Sequence, residues 1–297
     1  MNDYKNVLDD EHIGRLLFKQ SYPAFIANMV TATYSIVNTI FIGHFVGALG
    51  IAGIAIVMPL QIGISMGFGN MFGVGGASLI SRSIGAGNRE KAERALGNAI
   101  TGIIVVSIVV MIIGYANPEF WLRVMGTNEN IMPFAKDYFN IILFGLIFQT
   151  FTLGMASLTR SEGSSHIAMI GMGIGAISNI IFDAVFIMVL KMGVSGAAIG
   201  TVTAQFLSTL YFIIFYFRGK SYLKFHFKNM SFKWGTMKEI LAIGLSNFIM
   251  SFTAGTSYLF LNRAIVTYGG DIAMAGYGII NRLIIFTTMP GFVPVPK

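Results

Sequence analysis

The chain of 297 residues has no cysteine. That excludes disulfides, thiolate metal sites and a cysteine nucleophile. Charge is scarce as well: Asp, Glu, Lys and Arg together make 11% of the residues, against 55% hydrophobic. A soluble domain needs a charged surface, which this composition does not supply. Strand-type alternation over barrel-length segments is also missing, which argues against a membrane barrel. Residues 1–15 are polar and mixed in charge, and no short apolar region with a small-residue cleavage site follows them. No signal peptide is expected, and the first span itself directs insertion. His12, His44, His166 and His226 are dispersed, without metal-ligand spacing or a companion nucleophile. Gly67-Phe-Gly69 and Gly85-Ala-Gly-Asn88 lack the Lys-Ser/Thr of a phosphate loop. Neither an enzyme nor a cofactor is expected.

What is abundant is apolar length. Mean hydropathy is +0.71. Stretches of the ~20 residues needed to cross a bilayer recur near 18–43, 51–79, 96–116, 138–158, 166–190, 197–217, 240–266 and 272–290. The fold class is therefore an all-α polytopic membrane protein. Basic residues give its orientation. Lys5, Arg15 and Lys19, then Arg82, Arg89, Lys91 and Arg94, then Arg160, then the Lys-rich connection 218–238 fall on one side. Arg123, Lys136, Lys191 and Arg263 fall on the other. By the positive-inside rule the N-terminus is cytoplasmic, in a multi-pass protein of the cytoplasmic (inner) membrane. The formal net charge of +7 then reflects topology rather than a nucleic-acid partner. The basic, aromatic stretch 220–238 is expected to lie on anionic membrane lipid.

One carboxylate breaks the apolar pattern. Asp183 stands in Ile180-Ile-Phe-Asp-Ala-Val-Phe-Ile-Met188. An ionised Asp at the centre of a lone membrane helix costs roughly 2.5–3.5 kcal/mol. Such a group faces a water-filled cavity or a bundle interior, either as a functional site or as a structural bridge to helix backbone. The chain also repeats itself at an offset of 223. Phe25-Ile26, Thr33, Ile42, Gly47, Ala52-Gly53, Ile56, Leu60, Ile62 and Met66 match Phe248-Ile249, Thr256, Ile265, Gly270, Ala275-Gly276, Ile279, Leu283, Ile285 and Met289. Six spans separate the two starts, so both copies enter from the same side. That is a parallel repeat, related by an axis along the membrane normal. The second copy ends in Pro290-Gly-Phe-Val-Pro-Val-Pro-Lys297, and closely spaced prolines do not continue a helix. A chain cut short is expected, the alternative being a protein of eight spans with a Pro-rich tail.

Four segments carry a more specific likeness. They are Tyr34-Ser-Ile-Val-Asn-Thr-Ile-Phe-Ile-Gly43, the run from Gly73 to Asn88 followed by Lys91-Ala-Glu-Arg94, Ser178-Asn-Ile-Ile-Phe-Asp183, and Gly196-Ala-Ala-Ile-Gly-Thr201. Together they resemble the multidrug and toxic compound extrusion (MATE) family, over roughly residues 12–290. The resemblance implies twelve spans in two six-helix lobes. This chain would then hold an N-terminal lobe (1–218), a cytoplasmic linker (219–238) and the first two spans of the second lobe (239–297). It also implies a monomeric secondary active exporter, moving small amphipathic organic cations outward in exchange for Na⁺ or H⁺. The rivals are a flippase for a lipid-linked precursor or polysaccharide, from the same superfamily, and a non-transporting fragment.

Spacing agrees with a site in the first lobe. Asn179 and Asp183 are four apart and share a helix face, as do Tyr34 with Asn38 and Thr201 with Gln205. Gly175 and Ala176, one turn before Asn179, admit a close neighbouring helix. Spans one and five carry Asn38 and Asp183 late and span six carries Thr201 early, so all three reach one depth. The cation-coupling set that the resemblance implies is Asp183, Asn179, Asn38 and Thr201, with Na⁺ at Asp183, Asn179 and Thr201 or H⁺ on Asp183. Tyr34 and Gln205 join the cavity. Many family members have aspartate at the position of Asn38, so here Asp183 is the lone carboxylate. Pro23 matches a position where the first helix bends, and an ordinary kink is the other reading of it.

Overall fold

The computed structural model describes residues 13–219, 221–224, 229 and 233–288. The tail from Met289 to Lys297, His12, His226 and linker residues Lys220, Phe225, Phe227, Lys228 and Phe232 lie outside them. All regular structure in the described residues is helical. Helix α1 is Ile13–Phe45; α2 is Ala48–Ile56, continued by a π-helical stretch Leu60–Met66 into α3, Gly67–Gly85. Then follow α4 (Arg89–Ala116), the short α5 (Pro118–Val124), α6 (Met132–Ser161), α7 (Ser165–Asp183) with a second π stretch Ala184–Val189, and α8 (Gly193–Phe217). The last helical stretch, α9, runs Trp234–Thr288 and is two helices joined at Gly270. Six helical stretches among the described residues, that joined pair counted as one, are long and apolar enough to cross a membrane. Helix α1 has 33 residues and is about 50 Å long at 1.5 Å per residue. The apolar runs coincide with these helices to within a few residues.

Local chemistry sets the ends. Asn88 caps α4 by accepting from Lys91 N at 2.9 Å. Arg89–Glu93 and Glu90–Arg94 pairs four apart then hold its first turn. The segment 89–94 is thereby continuous with the span that follows it. Helix α5, which hydropathy does not reveal, starts from the same device: Asn117 accepts from Phe120 N at 3.0 Å, with Pro118 at the first helical position.

The repeat is written in the backbone. Gly47 (φ 91°, ψ −172°) starts α2, and Gly270, its partner at the 223 offset, has φ 72° and ψ −170°. This extended left-handed corner is open to glycine and few others. Repeat partners also touch. Asn281 Nδ2 donates to Met58 Sδ at 3.2 Å, 223 positions away. A Cβ on Gly278 would lie 3.2 Å from that of Ala55. Residues that meet their own equivalents lie at the rotation axis relating the two copies, and these two meetings are one helical turn apart. The axis therefore runs alongside the helices.

The first helix of the second copy packs along α3 at backbone distance. A Cβ on Gly244 would overlap the Met71 carbonyl, and one on Gly75 the Ile240 carbonyl. Two apolar clusters form the core. One is built from α2, α5, α6 and α8 around Phe139 and Leu143; the other is built from α3, α4, α6 and α8 around Ile103 and Phe212.

Candidate functional site

Asp183 is the last residue of α7, with the π turn Ala184–Val189 directly after it. π turns of this kind re-aim side chains and are common at functional positions. Its side chain is 0% exposed. Asn38, from α1, donates through Nδ2 to Asp183 Oδ2 at 2.6 Å. Asn179, one turn back on α7, is satisfied when its amide nitrogen faces the same oxygen. It then donates to Asp183 Oδ2 at 3.0 Å and accepts from Thr201 Oγ1 and N at 3.1 and 3.2 Å. The hydrogen bonding assigns that orientation. In the other orientation Asn179 Nδ2 donates to Thr201 Oγ1 at 3.1 Å, and its oxygen faces the carboxylate.

The two carboxylate oxygens are thus unlike. Oδ2 receives two amide donors, while Oδ1 is buried with no hydrogen-bond partner among the described residues. Oδ1 lies against Gly200, at the place a Cβ there would take. A bare carboxylate oxygen in a dry interior is costly. It is also where a proton or a small cation gains most. The structure brings Asn38, Asn179, Asp183 and Thr201 together, across α1, α7 and α8. Tyr34 is half-buried on the Asn38 face and lies in electrostatic reach of Asp183 and Arg282. Gln205 is half-buried one turn beyond Thr201 and makes no side-chain hydrogen bond among the described residues. Pro23 falls inside α1, but its side chain lies outside the described residues.

Three neighbours escape a spacing argument. The close approach beside Asp183 is made by Gly200, whereas a Cβ on Gly175 would make an ordinary 3.4 Å contact with Ser208. Gly200 lies within the Gly196 to Thr201 segment, though nothing in the sequence aims it at Asp183. Ser35 and Arg282 meet across 247 positions, Arg282 Nη1 donating to Ser35 Oγ. The one available signal was Arg282 itself, a cation inside an apolar run.

Residues 23–185 match the family profile described as MatE. The chain is 30% identical over 278 residues to "Multidrug export protein MepA" of Staphylococcus haemolyticus (strain JCSC1435), covering 94% of this chain and 61% of that protein. To the protein of the same name from Staphylococcus aureus (strain MRSA252) it is 29% identical over 266 residues, covering 90% of this chain and 58% of the relative. The chain therefore spans about three fifths of the length of these curated relatives. Among solved structures it superposes on the MATE multidrug transporter DinF-BH with a TM-score of 0.90 and 35% identity, covering 95% of this chain and 63% of that one. A MATE structure in the bent conformation, 24% identical with a TM-score of 0.79, shares the fold.

Proposed function

The chain belongs to the MATE family, and from that premise we propose that it forms the ion-binding lobe, and the opening of the second lobe, of a secondary active multidrug exporter. In this reading Na⁺ or H⁺ enters at Asp183 and an amphipathic organic cation leaves through the cavity between the lobes. The N-terminus faces the cytoplasm, so that Arg82, Arg89, Lys91 and Arg94 face the anionic leaflet. The supporting observation is the half-satisfied carboxylate: Asp183 Oδ2 held by Asn38, and Oδ1 bare beside Gly200.

The chemistry follows from the donors. Two amide N–H groups on one oxygen hold the anion in place between turnovers. An arriving cation meets the bare Oδ1 and spans the carboxylate to Oδ2, where it is shared with an oxygen of Asn179 once that amide turns over, with Thr201 Oγ1 beside it. A proton instead attaches to the carboxylate and needs no turnover. Asn38 orients the acid but carries no charge, so one cationic charge per cycle is the ceiling of this site. Coupling then requires that the loaded and unloaded sites favour different arrangements of the lobes.

The test is ion-gradient-driven efflux of a fluorescent organic cation from vesicles holding the full-length protein. Efflux that disappears in Asp183→Asn, at unchanged folded yield, supports the reading. Normal efflux in that variant makes Asp183 a structural bridge. A wild type that moves no dye under either gradient favours the flippase.

A further inference from the structure

Arg282 stands at the centre of Ile279-Ile-Asn-Arg-Leu-Ile-Ile-Phe286, inside the second helix of α9. Arginine in an apolar spanning helix is expensive and marks ion or substrate routes. Its guanidinium carries a positive charge and five N–H donors in a planar fork. Among the described residues one hydrogen bond is made, to Ser35 of α1, and no carboxylate is within ion-pairing distance. Around it is a gap of about 10 Å³ lined by Thr39, Ile42, Met58 and Gly278, room for about one water.

The position relative to Asp183 is what matters. Ser35 is 8% exposed and three residues before Asn38, so the two polar groups leave α1 one turn apart. One holds the carboxylate of α7 and the other the guanidinium of α9. Helix α1 is thereby tied on one face, within one turn, to an acid from its own lobe and a base from the next. The titratable groups in reach of the guanidinium charge are Asp183, Tyr34 and Tyr138; α2 presents only apolar side chains to it.

We propose that Arg282 is the fixed countercharge of the cation site, balancing Asp183 when the site is empty and leaving an uncompensated positive charge when a cation is loaded. This rests on the reading of Asp183 as the cation site. Empty, the pair sums to zero and the helix bearing Arg282 can stay closed on α1. Loaded, the carboxylate is neutralised and Arg282 is left alone in a dry interface, which favours states in which water reaches it. The same excess charge opposes an organic cation in the cavity. Ion uptake, lobe separation and cation release then share one electrostatic cause.

The test is equilibrium Na⁺ binding, and separately proton uptake, by the full-length protein in nanodiscs for wild type, Arg282→Gln, Arg282→Lys and Asp183→Asn. Side chains one turn apart on one helix face put the charges they bind within about 10 Å of each other. At an effective dielectric of about 20, removing one tightens cation binding roughly tenfold. The expected result is that gain in Arg282→Gln, with Arg282→Lys within about twofold of wild type. Arg282→Met serves where the Gln variant fails to assemble. Unchanged affinity in both neutral variants overturns the countercharge while leaving Asp183 as the site. Wild-type uptake that equals that of Asp183→Asn overturns the reading of Asp183, and the countercharge with it.

Discussion

Glu162 and Asp183 are both buried carboxylates near helix ends, 4% and 0% exposed, and their surroundings treat them oppositely. Glu162 lies in the turn after α6. Its Oε1 accepts from Tyr216 Oη, and its Oε2 accepts from Ser221 Oγ and, at 3.5 Å, from Leu223 N. Both oxygens are occupied, by groups from the end of α8 and from the chain leading to the second copy. Asp183 has both donors on one oxygen and, among the described residues, no hydrogen-bond partner on the other. Burial alone therefore does not mark a site. Glu162 fastens the connection between the two copies, and Asp183 keeps an oxygen in reserve. The neighbouring contacts agree: Lys224 N donates to Glu93 Oε1 at 3.1 Å and Lys233 N to Asn98 Oδ1 at 2.9 Å, so the same connection is held at three points.

The largest effect is expected at Gly200. In Gly200→Ala the new Cβ falls on Asp183 Oδ1, and cation binding should drop roughly a hundredfold or more, about 3 kcal/mol, the upper end of what such overpacking costs. Binding that survives would mean that Oδ1 is not the oxygen used. Next comes Glu162→Gln. Burial pushes the Glu162 carboxyl up to about 7, from 4.5. A raised acid binds its proton more tightly folded than unfolded. Its stabilising contribution is complete below about 4.5 and is lost as pH climbs to about 7, about 3 kcal/mol in all. Thermal melts across that window should show a falling stability that Glu162→Gln flattens, and an unchanged slope would remove Glu162 as its source. Ser221→Ala deletes one donor to the same carboxylate and should cost about 1–2 kcal/mol with transport intact. Smallest is Gly175→Ala, where a Cβ meets Ser208 at ordinary distance; helix preference makes it neutral or stabilising by up to about 1 kcal/mol, read as melting temperature.

The site residues with sequence neighbours on one helix face were legible. Asn179 and Asp183, four apart in an apolar run, share a face by helical periodicity, and equal depth agrees with Asn38 and Thr201 beside them; the family resemblance is what singled out the set. The parallel repeat was legible too, because Gly47 and Gly270 recur at one offset for a conformational reason. What escaped was chemistry without a local period. The π stretches 60–66 and 184–189 keep the same apolar composition as the α-helix around them. Gly200 owes its place to a contact with Asp183 across two helices. Arg282 and Ser35 are brought together by a fold-level symmetry, and Glu162 looks like any acid next to a Gly-containing turn until Tyr216 and Ser221 close over it.

The most direct measurement is the ion flux that accompanies substrate efflux in vesicles, compared between Asp183→Asn and Glu162→Gln in the full-length protein. Loss of coupled Na⁺ or H⁺ entry in Asp183→Asn, with entry in Glu162→Gln within about twofold of wild type, is the predicted result. Coupled entry that persists in Asp183→Asn, or that is lost equally in both, would contradict the account.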